Sequence, residues 1–176
     1  RLDAASAARL DAREPKGADL AIVVADGLSA TAVHRNVVPV VAGLSREIVR
    51  QGRTLAPVVV ATGARVALGD EVGERLAARA VLVLIGERPG LSAPDSLGAY
   101  LTFAPRVGRN DAERNCVSNI RAGGLAHQAA AFRLAWLVDA ALVRGLTGVG
   151  LKDESAQSRL GEPAARTPIR KEPHSS

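Results

Sequence analysis

The sequence contains very few aromatic residues: two Phe, one Tyr and one Trp make up 2% of its 176 residues. The core must therefore be built from Val, Leu, Ile and Ala. Proteins that bind single-stranded nucleic acid or RNA usually stack the bases on aromatic side chains. Because Tyr100, Phe103, Phe132 and Trp136 are few and lie in apolar segments, we expect no nucleic-acid partner.

Cysteine, histidine and long apolar runs are also scarce. The single cysteine, Cys116, excludes a disulfide within the chain, which fits a reducing cytoplasm. No segment approaches the roughly 18 uninterrupted apolar residues of a membrane span, and the charged residues 1–17 do not resemble a signal peptide. The histidines are far apart and no Cys-x-x-Cys pair occurs, so we expect neither a membrane partner nor a metal site.

The net charge of +5 comes from an excess of arginine. Twenty of the 23 basic residues are Arg, and they are spread along the chain rather than clustered. This pattern favours a solvated surface over a face that follows a phosphate backbone, with an acidic protein partner as the alternative.

The length and composition predict one main domain. Hydrophobic residues make up 47% and charged residues 23% of the sequence, as in ordinary globular proteins. We divide the chain into a short N-terminal helix (1–17), an α/β domain (18–154) and a disordered tail (155–176). The tail is assigned from its polar composition and its prolines.

Apolar runs of strand length alternate with stretches of helical spacing along the α/β domain. This alternation predicts right-handed βαβ crossovers and a three-layer, Rossmann-like α/β fold with a largely parallel sheet flanked by helices. Ser29 or Thr31 should cap the second helix, and Pro39 should kink it or mark its restart. The predicted strands are 18–25, 57–62, 80–85, 99–104 and 116–120, and the predicted helices are 2–13, 32–51, 70–79 and 125–146.

Three chemically unusual loops follow predicted strands. They begin at Asp26, at Gly86 and after Ile120, and they should meet at the carboxyl edge of the sheet, where such folds bind ligands. The loop GERPGLSAPDSLG (86–98) is stiffened by two prolines. Its Glu87 is either half of a surface ion pair with the next residue or an acceptor for amide or hydroxyl groups of a bound molecule.

Nucleotide and catalytic motifs are absent or incomplete. No G-x-G-x-x-G follows the first strand and no P-loop occurs, which disfavours a dehydrogenase. GLSAP (90–94) misses the hydrolase motif G-x-S-x-G by one residue, which leaves a serine hydrolase using Ser29 or Ser92 with His34 as an alternative. Cys116 could be a nucleophile, but no histidine partner is evident, and single cysteines are more often inert and buried.

Five strings of the sequence occur together in the order and approximate spacing of a known family. They are VADGLSATAVH (24–34), RVALGDEVGE (65–74), LIGERPGLSAPDSLGAYLTFAPR (84–106), DAERNCVSNIRAGGL (111–125) and LTGVGLKDES (146–155). Over nearly all of residues 18–155 the chain resembles the small (light) subunit of ethanolamine ammonia-lyase. The combination of GERPGLS with DAERNCVSN makes the resemblance specific.

This resemblance implies an activity, a cofactor and a partner. The family's holoenzyme uses adenosylcobalamin (coenzyme B12) to convert ethanolamine to acetaldehyde and ammonia by radical chemistry, in the cytoplasm or in a bacterial microcompartment. The large subunit, a barrel, carries the substrate site, and the small subunit covers the other side of the cofactor. The chain would then be inactive without the large subunit. It would also lack an N-terminal region that family members usually carry and that helps to attach the two subunits.

The same resemblance implies three cofactor-binding residues, Val66, Glu87 and Cys116, and no catalytic residue in this chain. Val66 would offer apolar surface, Glu87 would accept hydrogen bonds from amide side chains of the corrin, and Cys116 would pack against the corrinoid. The main alternative is a stand-alone Rossmann-like module that binds a small molecule or nucleotide without lyase activity. A neighbouring gene for a large subunit would favour the lyase, and its absence would favour the module.

Overall fold

The computed structural model describes residues 1–87 and 95–160, and these residues form an α/β fold. The strands are β1 (Leu20–Ala25), β2 (Val59–Ala61), β3 (Ala80–Gly86), β4 (Leu97–Phe103) and β5 (Arg114–Ile120). The helices are α1 (Ala4–Asp11), α2 (Ala30–Arg50), α3 (Leu68–Arg75), α4 (His127–Arg144) and α5 (Ser155–Leu160).

The strands form one mixed sheet in the order β2-β1-β3-β4-β5. β1 is parallel to β2 and β3, whereas β4 is antiparallel to β3 and β5. The prediction of a largely parallel sheet is therefore wrong. Residues 87–96 join β3 to β4 and residues 104–113 join β4 to β5. Each connection is shorter than the dozen or more residues that a parallel crossover needs.

Helices lie on both faces of the sheet. On one face, α2 and α4 enclose an apolar cluster that includes Leu44, Leu101 and Leu134. On the other face, α3 packs in an apolar cluster that includes Val81 and Val83, and the half-buried Leu2 and Leu10, before and within α1, pack against this cluster. Every residue of β1 and β3 is buried, as the uninterrupted apolar runs of these two strands predict.

The long helices lie close to their predicted positions. Ser29 caps α2 by accepting a hydrogen bond from the backbone N–H of Ala32 (3.2 Å). The helix continues through Pro39, so this residue does not end it. Gly145 ends α4 in the left-handed conformation, with a φ of 71°. The predicted disordered tail begins instead with helix α5, and its residues 161–176 lie outside the described residues.

The three polar loops reach the same edge of the sheet, as predicted, although the sheet is mixed. Two reversals, at β4 and again at β5, return β5 to the direction of β1 and β3. The backbone N–H of Leu28 donates to the carbonyl of Gly86 (3.0 Å) and joins the first two loops. This close approach requires Gly27, whose φ is +59° and whose Cβ would collide with that carbonyl. The end of β5, just before the third loop, reaches them through the backbone N–H of Asn119, which donates to the Glu87 carboxylate.

A buried ion pair joins α3 to β5. Arg114 donates to both carboxylate oxygens of Asp70, each at 2.7 Å, and also to the Thr102 hydroxyl on β4 (2.9 Å). The Arg114 and Asp70 side chains are only 3% and 2% exposed. The hydrogen bond to Asp70 raises the pKa of Arg114, so the guanidinium stays cationic although it is buried. The pair therefore attaches α3 to β5 and, through Thr102, to β4.

Candidate functional site

Glu87, which directly follows β3, is one of the acidic side chains at the carboxyl edge. Its backbone N–H donates to the carbonyl of Ser96 (3.0 Å), and its Oε2 accepts hydrogen bonds from the Ser96 hydroxyl and the backbone N–H of Asn119 (3.4 Å). Among the described residues, no group donates to its other oxygen, Oε1. The strand-end site, as we name it, consists of Glu87, Ser96, Gly98, Tyr100, Cys116 and Asn119.

Gly98 on β4 leaves room for the Glu87 side chain. A Cβ atom at position 98 would lie 2.8 Å from Glu87 Oε1 and 3.0 Å from Glu87 Cγ, closer than ordinary van der Waals contact. The carboxylate therefore occupies space that is free only because residue 98 is a glycine and has no side chain. Any larger residue at position 98 would displace it.

A β-bulge in β5 positions the backbone N–H of Asn119. Val117 pairs with Ala99 and Ile120 pairs with Leu97, so β5 has one residue more than β4 between these two pairs. Asn119 adopts a left-handed φ of 58°. Bulges often re-aim groups beside functional sites, and this one turns a backbone donor toward the strand-end site.

Tyr100 and Cys116 lie opposite one another on β4 and β5. The neighbouring protein atoms remove part of the water around the exposed Cys116 thiol, and this raises its pKa. A hydrogen bond from the Tyr100 hydroxyl lowers the pKa in part, and the nearby Glu87 carboxylate raises it again. Burial is also the main cause that raises the pKa of Tyr100, to about 12. Both groups are therefore protonated and neutral near pH 7. Cys116 does not have the low pKa of a thiolate nucleophile.

The strand-end site is open to solvent on one face of β4 and β5. Cys116 and Ser118 are exposed on this face, while Glu87 and Tyr100 are half-buried. Helix α3 packs on the same face but against β1 and β3, so no helix among the described residues covers the surface around Cys116. The site is thus a strip of neutral strand surface with one carboxylate at its end.

Val66 lies on a different element from Glu87 and Cys116. It is half-buried in the turn between β2 and α3, where it packs against the apolar cluster beneath α3. Because β2 is parallel to β1 and β3, this turn lies at the same carboxyl edge of the sheet as Glu87. The structure therefore brings Glu87 and Cys116 together beside Tyr100 and places Val66 at the same edge.

Asp26, at the end of β1, holds the turn that leads to Val66. Its carboxylate accepts hydrogen bonds from the backbone N–H groups of Gly63 (2.8 Å), Gly27 (2.9 Å) and Ala64 (3.2 Å). The hydrogen bond from Gly63 is the largest of the influences that lower the pKa of Asp26. The loop after β1 therefore stabilises the loop after β2 through these hydrogen bonds.

The geometry does not favour the serine hydrolase alternative. The Ser29 hydroxyl caps α2, and His34 is exposed on the same helix. Ser92 and Arg88 lie outside the described residues, and with them the proposed ion pair of Glu87. Within residues 1–87 and 95–160, no three His, Cys, Asp or Glu side chains group as metal ligands, and no helix has the length and apolarity to cross a membrane.

Ser96, Gly98, Tyr100 and Asn119 are not among the residues predicted from the sequence. Serine and glycine after a proline-containing loop are typical of turns. Asn119 contributes its backbone N–H, a group that every residue except proline has, so its residue type does not indicate this role. A signal for Tyr100 was present, because strand alternation places it on the opposite face from Ala99. That signal becomes useful only when the uncovered face is known.

The described residues form an α/β fold with helices on both faces of a mixed sheet, and the strand-end site lies at the carboxyl edge of that sheet. The family model described as ethanolamine ammonia-lyase light chain (EutC) matches residues 1–152. The chain belongs to this family, which confirms the resemblance seen in its sequence.

Curated relatives agree with the family model, and each is named ethanolamine ammonia-lyase small subunit. The protein of Rhodopseudomonas palustris (strain BisA53) is 56% identical over 155 residues, which cover 88% of this chain and 59% of the relative. That of Bradyrhizobium diazoefficiens (strain USDA 110) is 58% identical over 157 residues, 89% of this chain and 60% of the relative. That of Ralstonia nicotianae (strain GMI1000) is 53% identical over 169 residues, with shares of 94% and 62%. The chain thus spans about three-fifths of the length of these relatives.

Proposed function

We propose that this chain is the cofactor-covering part of the small subunit of an adenosylcobalamin-dependent ethanolamine ammonia-lyase. The enzyme would convert ethanolamine to acetaldehyde and ammonia, with the substrate site on a large subunit and no activity without it. Family membership supports the reaction. The observation that carries the role of this chain is the Glu87 carboxylate, which Ser96 and Asn119 hold by one oxygen while the other faces no donor among the described residues.

The chemistry of the strand-end site fits a corrinoid. A corrin carries amide side chains around a broad, mostly apolar ring, so it needs acceptors at its rim and a neutral surface beneath it. Oε1 of Glu87 can accept an amide N–H, and hydrogen bonds to a charged acceptor are stronger than neutral ones. Tyr100 and Cys116 are neutral near pH 7 and lie on the open strand surface.

The residues of this chain bind and orient in this proposal, and none of them reacts. The cofactor supplies the radical chemistry when bound. Because Ser96 and Asn119 already hold Glu87, little side-chain entropy is lost when its free oxygen accepts a hydrogen bond. The protonated Cys116 contributes contact surface, and Val66 adds apolar surface at the same edge.

The cellular location and the fold of the domain belong to the same proposal. We place the enzyme in the cytoplasm, either free or inside a bacterial microcompartment, with no nucleic-acid or membrane partner. Helices on both faces of the sheet support a three-layer, Rossmann-like description of the domain. A stand-alone binding module of that fold, without lyase activity, is the rival that the experiment below must exclude.

The test is cofactor binding by this chain in complex with a large subunit. The two are co-expressed, cobalamin affinity is measured by visible absorbance, and acetaldehyde formation from ethanolamine is assayed with and without this chain. Glu87→Ala should raise the apparent cobalamin Kd by roughly 5- to 30-fold, because it removes a hydrogen bond of about 1–2 kcal/mol. Equal activity without this chain would overturn the proposal.

Gly98→Ala probes the same carboxylate without removing it. The added Cβ displaces Glu87 from the space that Gly98 leaves free, so we expect the cobalamin Kd to rise toward that of Glu87→Ala while the unfolding midpoint stays unchanged. Gly150→Ala is the matched control, because its Cβ meets only the end of the Leu146 side chain (3.3 Å). Unaltered cobalamin affinity in both Glu87→Ala and Gly98→Ala would remove the strand-end site from the cofactor interface.

A further inference from the structure

A groove lies beside β2, the outer strand on the opposite side of the sheet from β5 and the strand-end site. It runs between α1 and the edge strand β2 and has a volume of about 430 Å³. Its walls include the half-buried apolar side chains of Leu10, Val59 and Leu68, together with the backbone of β2. The strand order places β2 and β5 at the two edges of the sheet, about 19 Å apart at the usual strand spacing.

The two outer strands of the sheet, β5 and β2, differ in whether another segment of the chain covers them. At the β5 edge, Asn115 donates to the carbonyl of Leu151 (2.8 Å) and accepts from the backbone N–H of Gly148 (2.8 Å), so a later segment of the chain covers the strand. At the β2 edge, no strand among the described residues pairs with the outer side, and Val60 is 75% exposed. An uncovered edge of this kind can accept an additional strand.

The rim of this groove is positively charged. Of the described residues that line it, Arg1, Arg9 and Arg13 are basic and one, Asp3, is acidic, and Asp3 caps α1. The other α1 carboxylate, Asp11, is paired with an arginine of α3. In the part of the chain that the structure describes, Arg9 and Arg13 are exposed and take part in no ion pair. The rim is therefore complementary to negative charge.

We propose that this groove binds an extended, acidic segment of a partner polypeptide, which adds to β2 as a further strand. Alternate side chains of the segment would face the apolar wall, and its carboxylates would meet Arg9 and Arg13. Since β2 has only three residues and follows Pro57, it offers few main-chain hydrogen bonds, and the arginines must contribute much of the attraction. A second copy of this chain is a poor occupant, because it would bring the same arginines. The proposal does not depend on cobalamin binding.

The experiment titrates the full 176-residue chain into fluorescein-labelled peptides and follows fluorescence polarisation. The probe is an eight-residue peptide of alternating Glu and Val. One control peptide has Lys in place of Glu, and the other has Pro in place of Val, which keeps the charge but cannot form a strand. We expect the Glu-Val peptide to bind at least about tenfold more tightly than either control. Its binding should slow amide exchange within Val59–Ala61.

Charge reversal locates the binding to the groove. Arg9→Glu/Arg13→Glu should weaken Glu-Val binding about tenfold, since two exposed attractions become repulsions. The matched control, Arg46→Glu/Lys152→Glu, makes the same change in net charge elsewhere on exposed positions and should alter the affinity less than about twofold. Equal binding of the Glu-Pro peptide, equal weakening by the control pair, or dimerisation of the chain through this edge in light scattering would each overturn the proposal.

Discussion

Glu87 connects three segments that are far apart in the sequence. It follows β3, its carboxylate accepts from Ser96 before β4 and from the bulge in β5, and its side chain crosses β4 at Gly98. The carboxylate also acts on its surroundings, because its negative charge raises the pKa of Cys116. This electrostatic effect can be measured without any cofactor.

Glu87→Gln should lower the pKa of the Cys116 thiol, and Tyr100→Phe should raise it. The first change removes a nearby negative charge that disfavours the thiolate, and the second removes the hydrogen bond that stabilises the thiolate. Alkylation by iodoacetamide requires the thiolate. At a fixed pH below the pKa of the Cys116 thiol, the reaction should therefore be severalfold faster in Glu87→Gln and slower in Tyr100→Phe than in the unchanged chain. The measurement is the alkylation rate as a function of pH.

Cys116 is the only cysteine, so the alkylation rate reports on this position alone. Glu47→Gln is the control for loss of one carboxylate, because Glu47 pairs with Arg50 on α2. If Glu87→Gln and Glu47→Gln leave the midpoint equally unchanged, Glu87 does not lie beside Cys116.

At the scale of elements, β4 decides how the site is built. As an antiparallel strand between β3 and β5, it carries Gly98 and Tyr100 into the space between Glu87 and Cys116. The outer strands are held to the rest of the molecule by Arg114, which reaches across Thr102 to Asp70 on α3. This pair is nearly inaccessible to water, so the loss of one partner would leave a buried charge uncompensated.

Arg114→Met should destabilise the protein by about 3–5 kcal/mol, because Asp70 then loses its buried partner. The double variant Asp70→Leu/Arg114→Met should recover most of this loss, since no buried charge remains. Urea unfolding followed by circular dichroism gives the free energies. Arg144→Met, which breaks an exposed pair with Glu154, should change stability by only about 0–1 kcal/mol. A double variant as unstable as Arg114→Met would contradict this account of the pair.

At the scale of the whole molecule, the helices contribute unequally to the core. Residues of α2 and α4 are buried with β1, β3 and β4 in the larger apolar cluster, whereas α1 has no buried residue. The contacts of α1 and the residues before it are the half-buried Leu2 and Leu10, the hydrogen bond from the Leu2 backbone N–H to the Glu71 carboxylate (3.1 Å) and the ion pair of Asp11 with Arg75. The helix is therefore attached to a core that is complete without it.

Deletion of residues 1–13 should lower the free energy of unfolding by about 1–3 kcal/mol and leave the fold intact, because only two partly buried leucines and their polar ties are lost. Urea unfolding gives the free energy, and the near-ultraviolet signal of Trp136 on α4 reports the packing of the remaining core. Loss of cooperative unfolding after the deletion would mean that α1 is an integral part of that core.

The sequence predicted the positions of the elements well and the direction of one strand, β4, wrongly. The apolar runs at 18–25 and 80–85 correspond to β1 and β3, and the helical spacing of 125–146 corresponds to α4. Only β4 runs opposite to the other strands, so the predicted parallel pairing fails at both of its neighbours. A buried apolar run looks the same in either direction, so the sequence did not show this reversal. Of the site, the family strings supplied Val66, Glu87 and Cys116 as cofactor-binding residues, and this assignment stays a prediction. The structure places Glu87 and Cys116 at neighbouring positions on the strands around β4.

By itself, the sequence determined the family, the order of the elements and the carboxyl edge at which the polar loops meet. These follow from residue types and their spacing along the chain. Only the tertiary structure decided that Ser96, Gly98 and the N–H of Asn119 surround Glu87. The reason is physical: a hydrogen bond to a backbone group and the absence of a Cβ depend on strand register and on a bulge, and these depend on the packing of the whole sheet.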